Sequence, residues 1–220
     1  MAGVSGKLRL GVLISGRGSN LQALIEACAG TDFPAEIALV ISNVGDAYGL
    51  ERAAKAGIAT QVIPHKPFAS RGDFEAALTE TLHEAGCGLV CLAGFMRLLT
   101  GPFVEAWWNR LINIHPSLLP AFRGLHTHER VLDYGARFSG CTVHFVRPAM
   151  DDGPIIVQAV VPVLEDDDAD RLAARILVQE HRIYALAVKL IAENRVRVEG
   201  TRVRIEGAEA PEAALINPSG

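Results

Sequence analysis

The chain has 220 residues, 50% hydrophobic and 21% charged, with a formal net charge of −4. That is enough apolar material for one large core, or one core with a smaller lobe, without covalent staples. The charge balance gives no electrostatic case for nucleic acid or an anionic membrane, so any anionic ligand has to be held by a local pocket.

In chain order, the N-terminal "MAGVSGKLRLGVLISGRGSN" breaks its apolar run at Gly16, too early for a signal sequence or a membrane span. A cytoplasmic protein is expected. "LRLGVLI" (8–14) reads as a strand, and "SNLQALIEACA" as a helix, because Leu21, Leu24, Ile25 and Cys28 recur at spacings of three and four. "EIALVIS" (36–42), "TQVIP" (60–64), "GLVCLAG" (88–94) and "RLINIH" (110–115) repeat the strand pattern, with helical stretches near 47–56, 72–85 and 101–108 between them. Alternating strands and helices imply parallel strands joined by right-handed crossovers and buried on both faces. The fold class is therefore α/β, a doubly wound and mostly parallel sheet.

"GARFSGCTVHFV" and "PIIVQAVVPV" (154–163) follow as longer strands with no helix between them, which predicts an antiparallel C-terminal extension of the sheet. A helix is expected over about 168–192, with Asp166, Asp167 or Asp168 as N-cap and acidic first turn. "RVRVEG" and "RVRIEG" (195–200 and 202–207) predict a small hairpin, and "AEAPEAALINPSG" a frayed tail. The four cysteines, Cys28, Cys87, Cys91 and Cys141, have no CxxC and no paired spacing. This fits a reduced protein and argues against a disulfide framework or cysteine-bound metal.

Three stretches carry chemistry. In "LISGRGSNLQ", Gly16 and Gly18 follow the first strand and Ser19 and Asn20 open a helix. Glycines let the backbone turn sharply, and a helix N-terminus favours a phosphate. The stretch fails as a dinucleotide fingerprint, with Leu21 where a third glycine belongs, and it lacks the lysine of a P-loop. Two readings stay open, a phosphate monoester site and an ordinary turn with a Ser/Asn cap.

In "LINIHPSLLPAFRGLHTH", Asn113 and His115 fall at the carboxyl end of a central strand, the edge where open α/β sheets bind ligands. Strand alternation points them to one side, roughly 7 Å apart. An Asn there can donate to an oxyanion and a His can exchange a proton. Equally, the pair can be a core histidine bonded to a carbonyl and an Asn capping a turn. The spacing of His126 and His128 is a weak zinc signal, lacking any Cys or Glu in a metal-binding arrangement. In "RPAMDDGPIIVQ", Asp151 or Asp152 brought near His115 would stabilise an imidazolium, although a solvated Asp-Asp-Gly turn is the commoner fate of such a sequence.

Six blocks in order, "LISGRGSNLQALIEAC", "SNVGDAYGLERAAKAGI", "LAGFMRLL", "INIHPSLLPAFRGLHTH", "VHFVRPAMDDGPIIVQAVVPV" and "QEHRIYALAV", resemble the phosphoribosylglycinamide formyltransferase family over about residues 8–192. The resemblance implies formyl transfer from 10-formyltetrahydrofolate, as co-substrate and without metal, to the amine of glycinamide ribonucleotide in purine biosynthesis. It implies residues 1–108 as a nucleotide-type half binding the substrate phosphate, 109–207 as a folate-binding and catalytic half on the same sheet, and 208–220 as a tail. By the same resemblance Gly18, Ser19 and Asn20 match the phosphate-binding segment, and Glu180 matches a residue that binds the ribonucleotide. Asn113, His115 and Asp151 match the catalytic trio. Arg71, the segment Met96, Arg97, Leu98 and Leu99, and the loop Arg147, Pro148, Ala149 and Met150 match folate contacts.

Arg17 stands where several relatives carry Asn, and Arg123 occupies a variable position. The Arg-Gly at 123–124 is also similar to the sibling methionyl-tRNA formyltransferase, which would bring a further C-terminal domain and a basic surface. Another sibling, formyltetrahydrofolate hydrolase, would bring an N-terminal regulatory domain. Only small-molecule partners are expected, with no nucleic acid and no membrane, and a monomer or homodimer.

Overall fold

The structure, a computed structural model, describes residues 6–218. Its elements are β1 (Leu8–Ile14), α1 (Ser19–Cys28), β2 (Ala35–Ser42), α2 (Tyr48–Lys55), β3 (Thr60–Val62), α3 (Arg71–Glu84), β4 (Leu89–Leu92) and α4 (Gly101–Ala106). There follow β5 (Leu111–His115), α5 (Thr127–Tyr134), β6 (Phe138–Phe145), β7 (Ile155–Pro162), α6 (Ala169–Ala192), β8 (Val196–Glu199) and β9 (Arg202–Ile205). The large sheet has the order β3-β2-β1-β4-β5-β6-β7, and β8 pairs with β9 in a second, two-stranded sheet. The pairs β1 with β2, β2 with β3, β1 with β4 and β4 with β5 are parallel, whereas β6 and β7 are antiparallel. The chain winds out from β1 to β3 and returns to lay β4 on the other side of β1. The strand order therefore reverses between the carboxyl ends of β1 and β4, where sheets of this kind take their ligands.

The chain forms two compact units, residues up to Asn113 with Phe145–Pro148, and Ile114–His144 with Ala149 onward. In the first, Leu13, Ile41, Phe74, Leu78, Leu82 and Trp107 share one buried cluster. Gly11 lets α3 lie close on β1, since a Cβ there would come 2.2 Å from Leu82 Cδ2. In the second, Leu172, Ile176, Ile183, Tyr184, Ala187 and Val188 are buried along α6, the three-and-four spacing of one helix face. Asp168 is its N-cap and accepts the Arg171 amide at 2.8 Å.

Some elements depart from the sequence reading. α5 is a helix over residues to which the sequence reading assigned no element; with Thr127 and Val131 its only buried residues, its eight residues are too few to carry a legible period. Gly135, at φ 74°, ends α5, so the following strand starts at Phe138. β3 is three exposed residues and stops two short of Pro64. The tail forms no helix or strand among its described residues, yet it is tethered, because Asn217 Nδ2 donates to the Val163 carbonyl at 3.0 Å.

Candidate active site

The glycine turn after β1 is built by two helices of the first unit. Gly18, at φ 68° and ψ 36°, is the N-cap of α1, and Ser19 and Asn20 lie inside the helix. The Ser/Asn cap of the second reading does not form, because Gly18 takes the cap position in a left-handed conformation that glycine enters most readily. A Cβ on Gly18 would fall 2.7 Å from Gly49 Cα. Gly49 N in turn donates to the Gly16 carbonyl at 3.0 Å. Arg52 completes the support, its Nε donating to the Arg17 carbonyl at 2.9 Å and its Nη1 to Gln22 Oε1 at 3.2 Å. No side chain caps α1, so no capping oxygen offsets the positive end of its dipole.

Ser15 ties together the ends of three strands. Its Oγ donates to Asn43 Oδ1 at 2.6 Å and accepts the Met96 amide at 2.8 Å, while its own amide donates to the Gly94 carbonyl at 3.1 Å. The Met96 to Leu99 segment thus leaves β4 under control of the β1 turn. Met96 and Leu98 are 67% and 65% exposed, apolar surface suited to cover by a ligand. Arg71 is the exposed first residue of α3, behind the Ser70 cap. The Arg147 side chain is engaged, with Nη2 donating to Asn109 Oδ1 at 2.6 Å and the guanidinium 3.8 Å from the Trp108 ring centroid. Burial pulls its pKa below the ordinary arginine value.

In the second unit, His115 ends β5 and is 6% exposed. Its Nε2 is 3.1 Å from the Phe122 carbonyl oxygen, and its Nδ1 is 3.5 Å from Asp151 Oδ2. A carbonyl and a carboxylate only accept, so both ring nitrogens face acceptors. Asp151 stands at φ 51°, a left-handed conformation an aspartate tolerates. Its carboxylate is fixed twice more, by the Gly124 amide donating to Oδ2 at 2.9 Å and by His144 Nε2 at 3.8 Å from Oδ1. Asp152 turns away and pairs with Arg123.

The segment from Pro116 to His126 is held from beneath. Thr142 Oγ1 donates to the Ser117 carbonyl at 2.7 Å and accepts the Leu119 amide at 3.1 Å, and Gln158 Nε2 donates to the Leu119 carbonyl at 3.0 Å. Phe122, at φ 52°, lays its ring edge-on to Tyr134 with centroids 5.9 Å apart. Arg130 Nη1 donates to the Arg123 carbonyl at 2.6 Å. Met150 is half exposed beside Gly124. A cleft of about 430 Å³ borders Asp151 and is lined also by Pro120, Arg123, Ile155, Thr201 and Arg202.

Glu180 is buried on α6. Burial pushes the Cys141 thiol up to about 12, and the Glu180 charge adds to it. His126 pairs with Glu129 at 3.6 Å, and burial lowers the pKa of His128. Among the described residues no group of three or more His, Cys, Asp or Glu is arranged to hold a metal ion. No described helix is long and apolar enough to cross a membrane.

Ser15, Asn43, Arg52, Thr142, Gln158 and His144 are among the residues of these networks that were not singled out from sequence. Ser15, Asn43 and Arg52 look like ordinary turn and helix residues, and their roles come from strands and helices distant in the chain. His144, in "VHFV", was legible only as one polar residue on a buried strand.

The formyl transferase family model matches residues 8–188. The trifunctional purine biosynthetic protein adenosine-3 of Bos taurus is 50% identical over 87% of this chain, which spans only 19% of that protein's length. The phosphoribosylglycinamide formyltransferase of Escherichia coli is 44% identical, over 91% of this chain and 94% of the relative. The crystal structure of glycinamide ribonucleotide transformylase 1 from Symbiobacterium toebii is 53% identical with a TM-score of 0.89, covering 90% of this chain and 94% of the other. With its sheet order, its glycine turn and its histidine–aspartate pair on strand and loop, the chain belongs to the formyl transferase family.

Proposed function

We propose that this chain transfers the formyl group of 10-formyltetrahydrofolate to the amine of glycinamide ribonucleotide, a step of de novo purine biosynthesis, by direct attack through a tetrahedral intermediate. The observation that carries this reading is the buried His115 held between the Phe122 carbonyl and the Asp151 carboxylate in a member of this family. As the amine attacks the formyl carbon, negative charge grows on the formyl oxygen, and Asn113 donates to it. His115, its Nε2 hydrogen turned from the Phe122 carbonyl to the substrate, stabilises the same oxygen as an imidazolium and passes that proton to the departing folate nitrogen, and the proton that the attacking amine gives up restores the ring. Asp151 orients the ring and balances its charge. No side chain acts as a covalent nucleophile, so the cysteines take no part.

Gly18, Ser19 and Asn20 bind the substrate phosphate, and Glu180 binds the ribonucleotide. Arg71, Met96, Arg97, Leu98 and Leu99 line the donor's site, and the backbone of Arg147, Pro148, Ala149 and Met150 holds the pterin. In this reading residues 1–108 serve the phosphate, 109–207 the folate and the chemistry, and 208–220 is a tail. The protein works in the cytoplasm on these two small molecules, as a monomer or homodimer, without metal, nucleic acid or membrane.

The test is the absorbance change on formyl loss from 10-formyltetrahydrofolate, with and without glycinamide ribonucleotide. Turnover that depends on the ribonucleotide is expected. Loss at the same rate without it, or only with tRNA, would replace transfer to this amine by hydrolysis or by tRNA formylation.

A further inference from the structure

Glu75 is a buried carboxylate, 4% exposed, that the chemistry above does not use. It lies on α3 among Phe74, Leu78 and Leu82, where an apolar side chain would pack without the cost of desolvating a charge. Both of its oxygens turn to one residue: Oε1 accepts the Thr100 amide at 2.9 Å, and the Thr100 hydroxyl donates to Oε2. Thr100 is the N-cap of α4, yet its side chain makes no capping bond to that helix.

Thr100 follows directly on Met96 to Leu99, and the opposite end of this segment is held by Ser15, whose Oγ takes the Met96 amide at 2.8 Å. Arg71 precedes Glu75 by about one helical turn on α3. One carboxylate therefore joins the helix that presents Arg71 to the end of the segment that presents Met96, Arg97, Leu98 and Leu99. With Met96 and Leu98 exposed, the apolar packing of the segment comes from Leu99 against the core cluster, at the end next to Thr100. A segment left loose would have to be ordered by its ligand, which weakens binding.

We propose that Glu75 is a positioning residue for the formyl donor: by clamping Thr100 it fixes the 96–99 segment against the Arg71 end of α3 before the folate arrives. This rests on the functional reading above, in which that segment lines the folate site. The expected signature is a change in donor KM alone.

Glu75→Leu should raise the KM for 10-formyltetrahydrofolate about tenfold, the loss of hydrogen bonds to a charged group, with kcat and the KM for glycinamide ribonucleotide unchanged. Glu75→Gln, which keeps an acceptor for the amide and can donate to the hydroxyl oxygen, should restore a donor KM close to wild type. Thr100→Val should behave like Glu75→Leu from the other side. Phe74→Leu, which loosens α3 without touching Thr100, should lower the melting temperature and leave the donor KM alone. An unchanged donor KM in both Glu75→Leu and Thr100→Val, or an equal rise in Phe74→Leu, overturns the clamp. Amide hydrogen exchange of residues 96–100 without any ligand supplies a second measurement: it should accelerate in Glu75→Leu beyond the rest of the first unit. Uniform exchange would also overturn the clamp, whereas a wild-type protein without formyl transfer would overturn the functional reading and leave the exchange result standing.

Discussion

The Asp151 carboxylate faces His115 Nδ1 across 3.5 Å, from a backbone at φ 51° that the Gly124 amide and His144 hold in place. The opposite ring nitrogen is occupied by the Phe122 carbonyl at 3.1 Å. A ring braced from both sides keeps one orientation, and substrate has only to take the Nε2 hydrogen from the Phe122 carbonyl for the ring to meet an oxyanion or give up a proton.

His115→Ala should lower kcat by about 10²–10⁴, the usual contribution of a general acid, and Asn113→Ala by about 10²–10³, the usual loss of one oxyanion donor. Circular dichroism and melting should show both variants folded. Folded variants with near wild-type turnover would sink the assignment.

Asp151→Asn keeps the shape and removes the charge that balances an imidazolium. Turnover should fall on the order of 10², less than for loss of the ring itself. The variant should keep its Gly124 contact, so a collapse in stability in place of a loss of kcat would mark Asp151 as structural.

Gly18→Ala places a Cβ 2.7 Å from Gly49 Cα at a φ of 68°. Strain of this kind costs about 1–3 kcal/mol, before any clash is relieved. The urea midpoint should drop accordingly, and the KM for glycinamide ribonucleotide should rise more than the KM for the folate. Equal rises would separate the turn from phosphate binding.

Asp167 is 1% exposed at its side chain and takes both arms of Arg175 at 2.7 Å. The Arg175 hydrogen bonds hold its carboxyl below the ordinary 3.8, against the opposing effect of burial. A depressed folded pKa gives stability that is present above the unfolded value and lost as pH falls through the folded one. Asp167→Asn should therefore cost about 2 kcal/mol at pH 7. The gap from wild type should shrink below pH 3.8, as read from urea unfolding at several pH values.

Burial pushes the thiols of Cys28 and Cys87 up to about 11 and that of Cys141 to about 12. Since the thiolate is the reactive form, these three should label slowly with a disulfide reagent at pH 8 and rapidly once the chain is unfolded in urea. Fast native labelling at Cys87 or Cys141 would contradict their burial.

The sequence by itself determined the alternation of strands and helices, because buried parallel strands must be apolar throughout and each covering helix must repeat its apolar residues every three or four positions. It also marked the glycine turn, Asn113 with His115, and the acidic loop, since these are polar or glycine residues where the pattern calls for apolar ones. It left three choices open that depend on residues distant in the chain. Whether Ser19 or Asn20 caps α1 was decided by Gly18, which packs on Gly49 and takes the left-handed cap position. Which aspartate faces His115 was decided by the left-handed turn at Asp151, which sends Asp152 to Arg123. That Ser15, Arg52 and Glu75 matter at all was decided only by tertiary structure, because a hydrogen bond between residues 25 to 81 positions apart leaves no local period to read.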